Sequence, residues 1–314
     1  MVQFIVRADN PEIPPPYDFP GITIMSFRLP ATLANLQSLC DQLLNIGSPQ
    51  ARRFEYRAVA GFVDMEIVTY PKMAFAQAPY NTWGFATQQE IYFRFMVWKY
   101  VLPASGLQFP EPIPEWTIPF IFVDNSWSMI SGRNVIGFPK VMAQFSPTPV
   151  LNLNPLNITV SALALKTHSL TTKLDWQPIV EIRPDNKPAP APAGIWPWIG
   201  LGAGLANPIL NGYLQALLAS VPNAFSTVEL KQFRDASSLT EACYQAVVAT
   251  GFAPSNIGPP VQLPAATVQV NTYASLDIPG SLGFAANTPL QPMLQYAVSM
   301  DMSATGATNL FVNS

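Results

Sequence analysis

Lys140 is the residue of this sequence whose surroundings indicate covalent chemistry. It lies in the segment Gly-Phe-Pro-Lys-Val-Met at 137–142, in a chain of which only 11% of the residues are charged, against about 25% in typical proteins. A lysine buried among such neighbours loses hydration, which disfavours the ammonium and lowers the pKa of the amine. The free amine is the form that attacks a carbonyl carbon to give a Schiff base. The alternative is a lysine whose ammonium reaches the surface over its aliphatic stem.

Other catalytic motifs are absent from the sequence. It has no Gly-x-Ser-x-Gly elbow, Walker loop, paired-cysteine zinc pattern or Gly-x-Gly-x-x-Gly after a strand. The single histidine, His168, excludes a mechanism with two imidazoles and is expected to be structural. Cys40 and Cys243 are too few for a disulfide scaffold and are expected to be ordinary buried thiols. We therefore expect neither a metal nor a cofactor.

The composition restricts the class of partner. The chain of 314 residues carries 16 Lys and Arg against 19 Asp and Glu, a net charge of −3, which gives no basic field for nucleic acid. With 49% hydrophobic residues, part of the surface must be apolar, and burial of that surface in a homo-oligomer is the expected solution. The first 17 residues hold no continuous apolar stretch of the signal-peptide type, so we expect a cytoplasmic protein.

The elements that must position Lys140 are mostly strands. Runs rich in Phe, Tyr, Val and Ile, separated by Pro and Gly, predict strands at 22–28, 54–70, 90–101, 116–124, 158–165, 227–233, 243–249, 266–273 and 294–302. Leucines at helical spacing after Pro30 predict a helix that ends before Gly47. The predicted fold is a β-dominated α+β fold, with a large antiparallel or mixed, barrel-like sheet and a few peripheral helices.

Residues 184–224 differ from the rest in composition. A Pro/Ala linker at 184–193 leads into Gly-rich sequence and a predicted helix at 208–221. The chain carries no charged residue from Pro188 to Val228, but prolines and polar residues interrupt this stretch, so a membrane span is not expected. We interpret 184–224 as an insertion within a single domain, 1–314. Its part 193–221 either covers the mouth of the active site or forms a subunit contact.

Three short motifs lead up to Lys140. A strand ends in Asp124-Asn125, Gly132-Arg133 follows, and Phe138-Pro139-Lys140 completes the segment. This order and spacing resembles the active-site motif of the acetoacetate decarboxylase superfamily. Weaker matches at 26–30, 64–67, 90–97 and 229–235 extend the resemblance over most of residues 20–300.

The resemblance implies roles for five side chains. Lys140 is the imine-forming nucleophile, Glu90 transfers protons or orients the imine, and Glu66 is a second catalytic carboxyl. Arg133 and Phe138 bind substrate or brace the loop. The alternative for Glu90 is a solvent-facing carboxylate on an edge strand.

Two positions depart from the family pattern. Val141 stands where the decarboxylase has a second lysine, so a lowered pKa of Lys140 would depend on burial. The arginine that the decarboxylase uses for the substrate carboxylate has no counterpart near Pro20.

The expected function is that of a lyase that decarboxylates a keto acid or related small carbonyl compound through a lysine imine and enamine. The departures leave two alternatives: an aldolase or dehydratase that uses the same imine, and a non-catalytic protein that binds a hydrophobic small molecule on the same fold. The apolar surroundings favour a larger, more apolar substrate than acetoacetate, of a kind found in secondary metabolism.

Overall fold

The computed structural model describes residues 5, 12–48, 51–102, 112–150, 155–185, 225–258 and 261–313. Nearly all of the predicted insertion, including the expected helix at 208–221 and the proposed lid or subunit contact at 193–221, lies outside these residues.

Strands dominate the described residues. They are β1 Tyr17–Pro30, β2 Phe54–Ala58, β3 Phe62–Phe75, β4 Phe85–Val101, β5 Ile113–Val123, β6 Lys140–Ser146, β7 Ile158–Ala164, β8 Asp175–Pro184, β9 Phe225–Arg234, β10 Ala242–Ser255, β11 Val261–Gln262, β12 Ala266–Val270, β13 Pro289–Leu290 and β14 Leu294–Val312. The helices are α1 Leu33–Leu43, α2 Ser126–Ser131 and α3 Ile278–Leu282, with a 3₁₀ turn at Tyr80–Thr82 and a π-helical turn at Gly132–Ile136. None of the described helices has the length and hydrophobicity to cross a membrane. The predicted fold class, β-dominated with few helices, is confirmed.

The structure corrects the predicted strands in two respects. The expected strand at 54–70 is interrupted at 59–61, and its two parts, β2 and β3, pair antiparallel with successive stretches of β4. The interruption includes Gly61, where a Cβ would lie 3.0 Å from the carbonyl oxygen of Ala31. The strands β6 and β8 were not predicted from the sequence. In β8 the signal is weakened by Pro178, which the sheet accommodates at a register shift opposite Ser161.

Seven strands pair in a closed ring. The order is β5-β9-β10-β14-β1-β3-β4, and β4 pairs with β5 again. The junction of β5 with β9 is short, a parallel bridge between Trp116 and Thr227. There Oε1 of Glu229 on β9 accepts a hydrogen bond from the backbone N–H of Ile118 at 2.8 Å, so a side chain replaces a missing backbone acceptor. The sheet continues from β5 through the parallel strand β6 to β7, β8, β12 and β13.

Alternation along the ring strands separates two apolar clusters. On β1, Ile22 and Ile24 belong to a cluster inside the ring. Met25 and Phe27 belong to the larger cluster outside it, which packs against α1. Because successive side chains of a strand point to opposite faces, the inward face of β4 carries Glu90, Tyr92 and Arg94, all of which line the cavity inside the ring.

Candidate active site

A short helical excursion between β5 and β6 positions Lys140. Asn125 caps α2 by accepting a hydrogen bond from the backbone N–H of Ser128 at 3.1 Å, which satisfies a free donor of the first turn. The π-helical turn then ends at Gly137, whose φ of 87° is in the left-handed region that favours glycine. The chain returns parallel to β5, with Lys140 opposite Ile121.

The lysine side chain lies directly over Gly132. A Cβ at this position would be 2.5 Å from Cδ and 2.8 Å from Cε of Lys140, far inside normal contact distance. Arg133 donates a hydrogen bond to the carbonyl oxygen of Lys140 at 3.0 Å, the contact expected of a loop-bracing residue. The Gly-Arg pair therefore gives the lysine both space and a fixed backbone.

Lys231 on β9 also contacts the turn that leads to Lys140. Its Nζ donates to the carbonyl oxygen of Val135 at 3.1 Å, and its stem lies against Gly137. Partial burial lowers the pKa of Lys231, while Glu12 acts against this shift. No role for this lysine was predicted from the sequence.

Lys140 and Glu90 form a buried ion pair. Nζ of Lys140 lies 2.8 Å from Oε2 of Glu90, and the two residues are 7% and 4% exposed. Nζ also donates to Oγ of Ser128 at 2.9 Å. The solvent-facing alternatives for Lys140 and for Glu90 are both wrong. The carboxylate is a counter-charge that sequence spacing did not reveal.

Two further side chains hold the Glu90 carboxylate. Tyr70 donates its hydroxyl to Oε1 at 3.1 Å, and Gln88 donates its amide to Oε2 at 2.9 Å. Burial, followed by the charge of Glu90, raises the pKa of Tyr70 well above its ordinary value. The tyrosine therefore stays a hydrogen-bond donor.

Glu66 lies in the same cavity but has other partners. Its Oε2 accepts from the hydroxyl of Tyr92 at 2.6 Å, and its Oε1 accepts from Arg94 at 2.7 Å. Burial raises the pKa of Glu66, and the charge of Arg94 opposes that shift. The structure thus brings Glu90, not Glu66, into contact with Lys140.

The cavity around these groups has a volume of about 150 Å³ and opens to the surface. Phe138 lines it, with Nζ of Lys140 5.9 Å from the ring centroid, and stacks on Phe252 at 6.1 Å. Most of the other lining is apolar and includes Phe19, Ile24, Val68, Met73, Ile118, Ile121, Ile136, Val298, Met300 and Met302.

Aromatic side chains lie at the mouth of the cavity. Trp83, Phe85 and Trp127 are 55%, 60% and 49% exposed. They line an adjoining depression that shares Phe75, Ala86 and Trp127 with the cavity. An exposed aromatic rim next to an apolar cavity is suited to apolar ligands.

Val141 does not face the cavity. It is 37% exposed and follows Lys140 on β6, so it points to the opposite face of the strand. A second lysine at this position would therefore not contact Nζ of Lys140 directly, and its absence changes little inside the cavity.

Several site residues were not identified from the sequence. Ser128 stands within the motif before Lys140, and the Asn125 cap was the signal that could have found it. Tyr92 and Arg94 follow Glu90 at every second position of a predicted strand, so the alternation of side chains could have placed all three on the same face. Tyr70 is opposite Gln88 only through strand pairing, for which the sequence carried no signal.

The remaining candidates lie away from the site. His168 is exposed in a turn. Cys40 is buried but Cys243 is exposed, so the prediction of two buried thiols is wrong for Cys243. In the part of the chain that the structure describes, no three His, Cys, Asp or Glu side chains are grouped for metal binding.

Fold and site together define a barrel-like β protein with a lysine–glutamate ion pair in an apolar cavity. The chain belongs to the acetoacetate decarboxylase family, whose sequence profile matches residues 1–178. Family membership supports an enzymatic activity. The matched region contains all five of the predicted site residues. No curated protein sequence matches the chain.

Solved structures share the fold over nearly the whole chain. The acetoacetate decarboxylase of Legionella pneumophila subsp. pneumophila str. Philadelphia 1 is 12% identical with a TM-score of 0.57, covering 99% of this chain and 92% of its own. An acetoacetate decarboxylase-like enzyme from Sphingomonas wittichii RW1 has the same identity and TM-score and covers 99% and 98%. The enduracididine biosynthesis enzyme MppR, complexed with pyruvate, is 12% identical with a TM-score of 0.55 and covers 95% and 91%. At these identities the likeness is one of fold.

Proposed function

We propose that this protein is a Schiff-base-forming lyase in which Lys140 attacks the carbonyl group of a keto acid or related compound. The observation that carries the proposal is the buried contact of 2.8 Å between Nζ of Lys140 and Oε2 of Glu90. It gives the nucleophile a proton acceptor within hydrogen-bond distance, in a cavity that binds the apolar part of a substrate.

Imine formation needs one proton to move twice. Glu90 accepts a proton from the ammonium, and the free amine attacks the carbonyl carbon to give a carbinolamine. The carboxylic acid then returns the proton to the departing hydroxyl, which leaves as water, and a protonated imine remains. Ser128, 2.9 Å from Nζ, orients the amine during these steps.

The protonated imine then accepts an electron pair. When the bond from the α-carbon to a carboxylate breaks, carbon dioxide leaves and the electrons form an enamine. A proton from solvent, delivered through Glu90, adds to the α-carbon. Addition of water to the resulting imine releases the ketone and restores the ammonium of Lys140.

An aldolase or dehydratase reaction is the second candidate, because the same enamine can attack an aldehyde instead of taking a proton. MppR, which has the same fold, has been solved with the condensation product of pyruvate and imidazole 4-carboxaldehyde. The third candidate, a non-catalytic binding protein, needs no covalent step.

Reductive trapping tests the proposal. The protein is incubated with a panel of keto acids and aldehydes and reduced with borohydride, and the labelled lysine is mapped by mass spectrometry. We expect label on Lys140 and none in Lys140→Arg, because a guanidinium does not act as this nucleophile. Lys72→Arg, at an exposed lysine, is the control and should leave labelling unchanged. Label on other lysines but never on Lys140 would refute the Schiff-base assignment. If Lys140 is labelled and the protein consumes aldehydes but decarboxylates no keto acid, the aldolase or dehydratase reaction is favoured.

A further inference from the structure

Arg94 is a second cation in the cavity with unused hydrogen-bonding capacity. Its Nη2 donates to Glu66 at 2.7 Å, and its guanidinium lies 4.3 Å from the ring centroid of Trp116. Its Nε is buried and has no hydrogen-bond partner among the described residues. Such a donor costs free energy unless a ligand satisfies it.

A second arginine in the same sheet shows what a complete pair looks like. Arg28 donates Nε to Oδ1 of Asp64 at 2.9 Å and Nη2 to Oδ2 at 3.0 Å. Glu66, by contrast, takes only one donor of Arg94 and gives its other oxygen to Tyr92. Arg94 is therefore held in position by one carboxylate oxygen, while a fork of donors stays incomplete.

Arg94 and Lys140 lie at different levels of the ring. Lys140 is level with Tyr92 on β4, because both are opposite Ile121. Arg94 lies two residues beyond Tyr92 and four beyond Glu90 on the same inward face, about 7 Å and 13 Å of strand. On β5, Trp116 lies on the Arg94 side of Ile121, beyond a register irregularity. Both strands thus separate the Arg94–Trp116 end of the cavity from the Lys140–Glu90 end.

The lining between the two ends is apolar. Ile118 and Ile121 from β5 and the ring of Tyr92 from β4 all line the cavity. The hydroxyl of Tyr92 already donates a hydrogen bond to Glu66. A ligand that reached from Lys140 to Arg94 would bury a hydrocarbon or aromatic body against these side chains.

Resting on the proposed function, we infer that the substrate is an elongated carbonyl compound with an apolar body and an anionic group, such as a carboxylate, at the end remote from the reacting carbonyl. Arg94 binds this anion with its unpaired Nε and sets the length of the substrate. The formal charges of Lys140, Arg94, Glu66 and Glu90 cancel in the free cavity. Because burial already favours the protonated form of Glu66 by raising its pKa, proton uptake there would offset the charge of the incoming anion.

Two probes of equal length test the inference, with the rate of trapping on Lys140 as the readout. 7-Oxooctanoate and its methyl ester differ in the charge at the remote end, and 4-oxopentanoate carries the charge too close to the carbonyl. In the wild-type protein we expect borohydride trapping on Lys140 to be at least about tenfold faster with 7-oxooctanoate than with the ester or with 4-oxopentanoate, the factor of a charge-assisted hydrogen bond.

The test variant removes both members of the buried ion pair. Arg94→Met combined with Glu66→Gln avoids an uncompensated buried carboxylate and should bring the acid-to-ester ratio close to one. Glu66→Gln alone keeps Arg94 and should preserve the ratio. An unchanged ratio in the double variant, or no preference in the wild type, would overturn the inference.

A calorimetric titration with octanoate makes the inference independent of the imine. Octanoate has no ketone, so its binding does not require a reactive Lys140. We expect the double variant to bind octanoate at least about tenfold more weakly than the wild type and than Glu66→Gln. If no carbonyl compound labels Lys140 but this difference appears, the proposed function fails and the anion site stands. Equal octanoate affinity in all three proteins would refute the role of Arg94.

Discussion

Gly132→Ala should weaken the reactivity of Lys140 while leaving the fold intact. The added methyl group would lie 2.5 Å from Cδ of Lys140, about 1 Å or more inside a normal carbon–carbon contact of roughly 3.5–4.0 Å. Ordinarily a lysine stem moves aside at little cost. Here both ends of the side chain are fixed, because Nζ contacts Glu90 and Ser128 and the carbonyl oxygen accepts from Arg133.

The displacement must therefore appear at the amine. A shift of about 1 Å at a reacting atom costs roughly 10²-fold in rate, so trapping of a small aldehyde on Lys140 should slow by about 10- to 100-fold. The helical dihedrals of Gly132 are compatible with alanine, but the shift forced on a lysine held at both ends should lower stability by about 1–3 kcal/mol.

The assay compares the pseudo-first-order rate of borohydride trapping, read on the Lys140 peptide, with the urea unfolding midpoint of the same preparation. Ser126→Ala, at an exposed position of α2, is the matched control and should keep the wild-type rate. A folded Gly132→Ala variant that traps aldehyde at the wild-type rate would refute the argument that glycine is required for the path of the lysine.

Further predictions concern the ion pair, the ring closure, the cavity rim and assembly. Glu90→Gln should slow trapping by about 10²- to 10⁴-fold, because the glutamine amide has the size of the carboxylate but cannot accept the proton. A rate within threefold of the wild type would exclude Glu90 as the base. Burial raises the pKa of Glu229 well above its ordinary value, so the folded state favours the protonated acid and the wild type loses stability as pH rises. Glu229→Gln, which retains an acceptor for Ile118, should be at least about 1 kcal/mol more stable than the wild type at pH 8 and equal to it near pH 4; a gap that does not change with pH contradicts this. Trp83→Ala and Phe85→Ala should weaken the apparent affinity for octanal by about three- to tenfold but not that for acetaldehyde, as measured from the concentration dependence of trapping. Light scattering at micromolar concentration should give a multiple of the chain mass of 34.3 kDa; a well-behaved monomer would disprove the expected homo-oligomer.

The sequence by itself determined the local features of the site. Proline and glycine positions, together with period-two and helical spacing, located most of the strands and α1, because these signals depend on neighbours within about ten residues. The motif from Asp124 to Lys140 contained the cap, the glycine under the lysine and the bracing arginine, all within one short segment. A contiguous motif of this kind can be recognised without knowing how the strands pair.

Only the tertiary structure decided which carboxylate serves the lysine. Glu66 and Glu90 are both acidic residues on inward faces of strands, and nothing in their local sequence separates them. Glu90 reaches Lys140 because β4 and β6 flank β5, with Tyr92 and Lys140 both opposite Ile121. Arg94 and Glu66 meet for the same reason, across the pairing of β3 with β4. Strand register is set by contacts between residues far apart in the chain, so charges fifty residues apart, such as those of Glu90 and Lys140, become partners only when the ring closes.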